Sequence, residues 1–333
     1  MTVYQTQPIT LGDIQTYPLD SRKSKVRVGD FAKPPGPNTS FMKFLDSLPA
    51  ILAADDLRYL VAALARARKN RKAILWGMGG HVIKVGLGPV VNDLMRRGFV
   101  SGIAMNGAAL VHDFEIALSG GTSEDVDATL RTGEFGMATE TGLFLNQIAV
   151  TSTFSGIGYG EAAGKFLASR KIKTENAASS VLLQAYKQRI PVTVHLAIGT
   201  DIPHMHPMAD GAALGASTHQ DFRLFCALVA QMDGGGAYLN WGSAVVLPEI
   251  FLKAVAVARN LGIDLRHITT ANFDFIQHYR PLQNVVKRPT GAGQLQQNSR
   301  SRGVAITGHH ELMMPLLAAA LAAGRPVKSR RVK

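Results

Sequence analysis

Three stretches of this 333-residue chain place chemistry-bearing side chains close together. The first is a loop in which His204 and His206 are separated by one residue and flanked by Asp201 and Asp210. Two imidazoles with carboxylates nearby suit acid–base work or metal ligation. Hydrogen-bonded structural histidines are the plainer account, and loop spacing fixes no ligand geometry, so no metal ion is assigned. The second stretch is His112, Asp113 and Glu115, which open a helical run just after Gly107. Acids early in a helix also complement its macrodipole, so Asp113 and Glu115 have a structural reading beside the functional one. The third is His309-His310-Glu311, ahead of an apolar run.

The elements that must position these groups follow from hydrophobic patterning. The apolar run AILWGMGGHV (73–82) breaks into Gly79 and Gly80, and FVSGIAMN (99–106) breaks at Asn106 into Gly107; each leads into a helical segment. Strand, glycine turn and helix, repeated, make βαβ units, whose ligands sit where strand carboxyl ends meet helix amino termini. Further strands are expected in 190–201, 237–246, 265–275 and 304–307, with helices between them. That alternation predicts an α/β, Rossmann-like fold: a mainly parallel sheet with helices on both faces. Gly79, Gly80, Asn106, Gly107, Asp201 and Asp210 are the expected cofactor-binding positions. No complete dinucleotide-binding glycine fingerprint is present. Residues 1–40, rich in proline, read as an extended arm before a single domain over 41–333.

Composition narrows the class. The net charge is +12, concentrated in short runs such as RKSKVR (22–27), RARKNRK (66–72) and KSRRVK (328–333). No aromatic residues interleave them, so solvated tails and a helix end are expected rather than nucleic-acid binding. The single cysteine, Cys226, lies in an apolar helical stretch and reads as a small buried hydrophobe. No disulfide framework can form within the chain, which fits a reducing, cytoplasmic setting. No apolar stretch reaches the roughly 20 residues of a membrane helix.

Four segments, in order, resemble the deoxyhypusine synthase family. They are 82–118 (VIKVGLGPVVNDLMRRGFVSGIAMNGAALVHDFEIAL), 185–192 (AYKQRIPV) ahead of Thr200-Asp201, 268–274 (ITTANFD) and 309–321 (HHELMMPLLAAAL). The resemblance implies a Rossmann-like core, a homotetramer with NAD between subunits, and a polyamine substrate. It implies a reaction in which NAD oxidises spermidine, the imine passes to an active-site lysine, and an aminobutyl group moves to an acceptor amine or a protein lysine (hypusine chemistry). Asp113 matches an aspartate of the family pattern, and Asp201 or Asp210 matches another. The departures fall on the reaction motifs. The family's lysine stretch corresponds to Arg280–Lys287, which lacks the Trp-Gly and the acidic residues, and makes Lys287 the candidate imine-forming lysine. No histidine stands in 239–248, where the family carries one. The expected catalytic set is therefore Lys287, Asp113, His204 and His206. The alternatives are another enzyme on this scaffold using the His204/His206 loop, with or without a metal, or a non-catalytic nucleotide-binding protein.

Overall fold

The computed structural model describes residues 3–291 and 300–324. The basic run at 328–333 and residues 292–299 of the glycine- and glutamine-rich loop lie outside the described residues. The arm, 3–40, is exposed almost throughout. Asp30 is its buried exception, and it tethers the arm through its carbonyl, which accepts from the Ala50 amide.

Six parallel strands form the sheet: β1 (Ile74–Met78), β2 (Gly102–Asn106), β3 (Val192–His195), β4 (Ala237–Trp241), β5 (Thr269–Asp274) and β6 (Arg302–Thr307). Their order is β3-β2-β1-β4-β5-β6. Each lies within one of the six apolar runs, or overlaps it. Parallel strands need crossover connections and both faces covered, which is why these strands read as continuous hydrophobic stretches. The helices before β3 are α1 (Phe41–Ser47), α2 (Leu52–Lys69), α3 (Gly80–Lys84), α4 (Gly88–Arg96), α5 (Gly107–Ser119), α6 (Val126–Thr132), α7 (Thr139–Ser155), α8 (Tyr159–Ala168), α9 (Thr174–Ser179) and α10 (Val181–Lys187). After β3 come α11 (Gly211–Ala230), α12 (Val246–Asn260), α13 (Tyr279–Pro281), α14 (Arg288–Gly291) and α15 (His310–Ala322). A 3-10 turn covers Ile202–Met205, and a π-helical turn, Leu282–Lys287, joins α13 to α14.

Alternation along the strands splits the core in two. Ile74, Trp76, Met78, Ile103, Met105, Leu239 and Trp241 face the cluster that includes α2, α4, α5 and α15. Leu75, Ala104 and Tyr238 face the other side, with Phe225, Phe251 and Val255 of α11 and α12. Trp241 stacks on Phe273 at 3.9 Å and is fully buried, so it packs the core rather than walling a pocket.

Capping sets several helix boundaries. Asp125 caps α6: its carboxylate accepts from Ala128 N at 3.2 Å. α11 begins at Gly211 because Asp210 caps it. Two buried aspartates satisfy helix starts from a distance. Asp113 accepts from Ser180 Oγ (2.7 Å), Val181 N (2.7 Å) and Leu182 N (2.9 Å) at the start of α10. Asp221 accepts from Gly160 N (2.9 Å) in the first turn of α8 and from Val194 N (2.7 Å) of β3. Since β3 is an edge strand, this carboxylate also covers an outward-facing amide that would otherwise be free to pair with another chain.

Candidate functional site

Strand order decides where a ligand can sit. From β1 the chain steps outward to β2 and β3, then crosses back to β4 and steps the other way to β6. At the carboxyl ends of β1 and β4 the connections diverge, which is where an open α/β sheet usually has its ligand crevice. Two glycine turns meet there. A Cβ at Gly79 would lie 2.7 Å from Gly242 O, and Gly242 itself has φ of 66°. Gly80 is held against α5: a Cβ there would lie 3.0 Å from His112 Cδ2 and 3.1 Å from Ala108 Cβ. His81, exposed at the start of α3, lies 5.6 Å ring to ring from the buried His310, whose Nε2 bonds the Phe273 carbonyl at 3.2 Å.

Beside this crevice, over the carboxyl ends of β2 and β3, lies a cavity of about 840 Å³. One wall is the side of α5 that carries Ala108, Val111, His112 and Glu115, and Lys84 of α3 stands at its edge. The 121–126 segment, Phe135, Thr141 and the Thr200–Ile202 turn complete it. Sequence builds this shape simply. Gly120, at φ 80°, ends α5 in a left-handed turn, and the Ser119 hydroxyl accepts from Gly121 N, so the chain doubles back over the helix. A β-branched residue at 120 would be strained in that conformation.

The doubled-back Thr122 links two α5 side chains. Its Oγ1 lies 2.8 Å from His112 Nδ1 and 2.5 Å from Glu115 Oε2. The other Glu115 oxygen accepts from Thr141 Oγ1 at 3.0 Å. Burial, reinforced by the charge of Lys84, pushes His112 down from 6.5 to about 4. Among the described residues four carboxylates line the cavity (Glu115, Glu124, Glu140 and Asp201) against one cation, Lys84. Asp201 Oδ2 is buried without a partner, and burial raises this carboxyl to about 6 against the pull of the Ala197 amide. A Cβ at Gly107 would overlap the Asp201 carboxylate, so a glycine is required for the two to approach.

The expected site residues divide accordingly. Asp201 lines the cavity, and Gly79, Gly80 and Gly107 form the turns around it. Asn106 caps α5 by accepting from Ala109 N at 2.9 Å. The others stand elsewhere. Asp113 faces the core, fully buried, with its carboxylate engaged by α10, so it cannot meet a ligand in the cavity. Asp210 is the exposed cap of α11, bonded to Ala212 N and Ala213 N. His204 Nδ1 accepts from Gly199 N at 3.1 Å, and His206 Nδ1 accepts from Met208 N at 3.1 Å with its ring against Gly142. Both imidazoles fold their own loop, and neither lines the cavity. Among the described residues no group of three or more His, Cys, Asp or Glu side chains is placed to hold a metal ion.

Lys287 is displaced furthest. The Val286 carbonyl packs on Gly303 at the start of β6, and Pro289 O accepts from Arg259 at the end of α12. Lys287 is therefore exposed at the amino edge of the sheet, opposite the cavity. Lys253 is paired with Glu249 on α12. Lys84, Thr122 and Thr141 went unread in the sequence. No motif marks them, but the spacing on α5 does distinguish two faces: 108, 112 and 115 lie on the cavity side, and 109, 110, 113, 114 and 117 on the buried side.

No protein-family model matches this chain, and no curated protein does. Among solved structures, it is similar to a candidate LOR/SDH protein from Methanococcus maripaludis S2, at 15% identity over 82% of this chain and 70% of that one, TM-score 0.48. It is similar to AgrE, solved with ornithine and NAD+, at 14% identity over 80% of this chain, TM-score 0.48; it spans only 33% of that chain. A candidate deoxyhypusine synthase from Entamoeba histolytica matches at 11% identity over 93% of this chain and 97% of that one, TM-score 0.46. Among the described residues no helix is long and apolar enough to cross a membrane.

Proposed function

We propose that this protein is a dinucleotide-dependent enzyme acting on a cationic amine, with an NAD-type cofactor across the β1/β4 crevice and the amine in the adjoining cavity. The observation that carries the reading is the cavity itself: about 840 Å³, walled by Glu115, Glu124, Glu140 and Asp201, and set beside the point where strand order reverses. Low-dielectric walls of one charge sign focus the field and concentrate ligands of the other sign.

The groups at the crevice suit a diphosphate. Backbone amides at Gly80 and His81 and the amino end of α12 just after Gly242-Ser243 are donors, and anions bind where such donors converge. When bound, NAD would supply a hydride acceptor. The chain's own residues would do the rest. The carboxylates would draw in the ammonium groups, and the apolar stretch of the wall (Val111, Leu118, Phe144) would take the methylenes between them. The turn at Gly136 packs on Ile202 so closely that a Cβ there would lie 2.8 Å from Ile202 Cγ2, which would help hold the 121–138 segment over the cavity.

Passing an aminobutyl group to an acceptor, as the family resemblance implies, needs a lysine at the cavity. Lys84 is the lysine that lines it among the described residues, so it replaces Lys287 in this reading. The test uses the protein with NAD+ and spermidine: absorbance at 340 nm, chromatography for 1,3-diaminopropane, and borohydride trapping followed by peptide mapping. Expected are NADH formation and a label on Lys84, lost in Lys84→Ala and kept in Lys287→Ala. A label on Lys287 would overturn the lysine assignment. Absence of both NADH and spermidine binding would overturn the amine reading.

A further inference from the structure

His112 has a donor network that fixes which of its two nitrogens carries the proton. A threonine hydroxyl has one hydrogen to give. Thr122 sits 2.5 Å from Glu115 Oε2, and a carboxylate can only accept, so that hydrogen goes to Glu115. Thr122 Oγ1 must therefore accept from His112, and the proton stands on Nδ1. Thr141 holds the far oxygen of Glu115, so the carboxylate cannot rotate away. What remains is Nε2: a bare lone pair with no hydrogen-bond partner among the described residues, on a residue that lines the cavity. The adjacent Cδ2 packs on the Gly80 turn, which fixes the ring plane.

Resting on the amine reading above, we infer that His112 is a specificity residue, a neutral acceptor that takes a hydrogen bond from a cationic N–H donor bound in the cavity. A lone pair held there attracts an ammonium and repels a carboxylate or phosphate oxygen, so it selects the chemical class of ligand. Neutrality matters, since an imidazolium would repel the cation it is meant to bind. The charged groups facing the ring act in that sense: Lys84 from α3 disfavours its protonation, while Glu115 on its own helix is turned to Thr122 rather than to the ring. Glu124, Glu140 of α7 and Asp201 of the 3-10 turn share the cavity and supply the charge attraction.

The test is Thr122→Val, which keeps the shape and removes the hydroxyl. Nitrogen-resolved histidine NMR on the free, full-length protein at pH 7 should show His112 in one neutral form, protonated at Nδ1. In Thr122→Val it should show mixed neutral tautomers. Spermidine, used as the probe in calorimetry, should bind His112→Leu roughly tenfold to a hundredfold more weakly, the worth of one hydrogen bond to a charged group, and Thr122→Val about twofold to threefold more weakly, in proportion to the Nδ1-protonated fraction that remains. Inorganic phosphate should gain no affinity for the wild type. A mixed or protonated His112 in the wild type would overturn the inference, as would Thr122→Val binding spermidine like the wild type. If His112 shows the single tautomer but spermidine fails to bind, the amine reading of the cavity falls and takes this role with it.

Discussion

Replacing Asp113 with asparagine separates a structural aspartate from a catalytic one. Both carboxylate oxygens are engaged: Oδ1 by Val181 N, Oδ2 by Leu182 N and Ser180 Oγ. Burial outweighs the pull of the three donors and leaves this carboxyl raised to about 6, so it is ionised at pH 7.5. An asparagine has one acceptor oxygen. Whichever way it turns, an NH2 group faces a buried backbone N–H. Leaving that donor unsatisfied costs about 1–3 kcal/mol. Losing the negative charge at the amino end of α10 adds about 0.3–1 kcal/mol. The sum is roughly 1–4 kcal/mol. With about 2.1 cal/mol/K of unfolding entropy per residue and 333 residues, 1 kcal/mol moves the melting temperature by about 1.4 °C. Asp113→Asn should therefore melt about 2–6 °C below the wild type by circular dichroism at pH 7.5, while spermidine affinity by calorimetry stays within about twofold. A melting temperature within about 1 °C of the wild type combined with lost spermidine binding would refute the reasoning and return Asp113 to the site.

Two further outcomes follow from particular contacts. Gly107→Ala drives a Cβ into the Asp201 carboxylate and should loosen the 196–210 loop, cost about 1–3 kcal/mol and raise proteolysis there; Asp201→Ser should recover most of the loss in the double variant, and additive effects would show that the two do not meet. His195, 1% exposed, is held by burial at about 3 against 6.5 in the unfolded chain. Between those values the unfolded state binds a proton that the native state refuses, so this residue lowers stability as pH falls from 6.5 toward 3. Asp113, Asp201 and Asp221, all raised by burial, act oppositely as pH falls from about 6–7 toward 3.8. The difference between wild type and His195→Gln isolates the histidine: the variant should lose less stability between pH 6.5 and 4 in urea titrations, and parallel curves would contradict the assignment.

The sequence by itself determined the layer architecture. Its six apolar runs are strands because a parallel sheet covered on both faces demands side chains that are apolar on both, and the glycines at 79, 80 and 107 mark where strands hand over to helices. Even the two faces of α5 were legible in principle, since Asp113 shares its face with Ala109, Leu110, Phe114 and Ala117 at helical spacing. Tertiary structure decided the rest. Nothing local says that Asp113 will be claimed by α10, some seventy residues on, or that Asp210 will open a helix rather than meet a ligand. The His204/His206 spacing looked chemical, but a hydrogen bond within the loop consumes an imidazole nitrogen as effectively as a ligand would. Lys287 stands where an arginine-proline signature put it in sequence, yet a helical segment of 279–291 carries it to the wrong edge of the sheet. The cavity joins α3, α5, the 121–141 segment and the 200–202 turn, and it exists only because strand order brings β2 and β3 to the side of β1. Local patterns encode which face of an element is buried; which elements become neighbours depends on the packing of the whole chain.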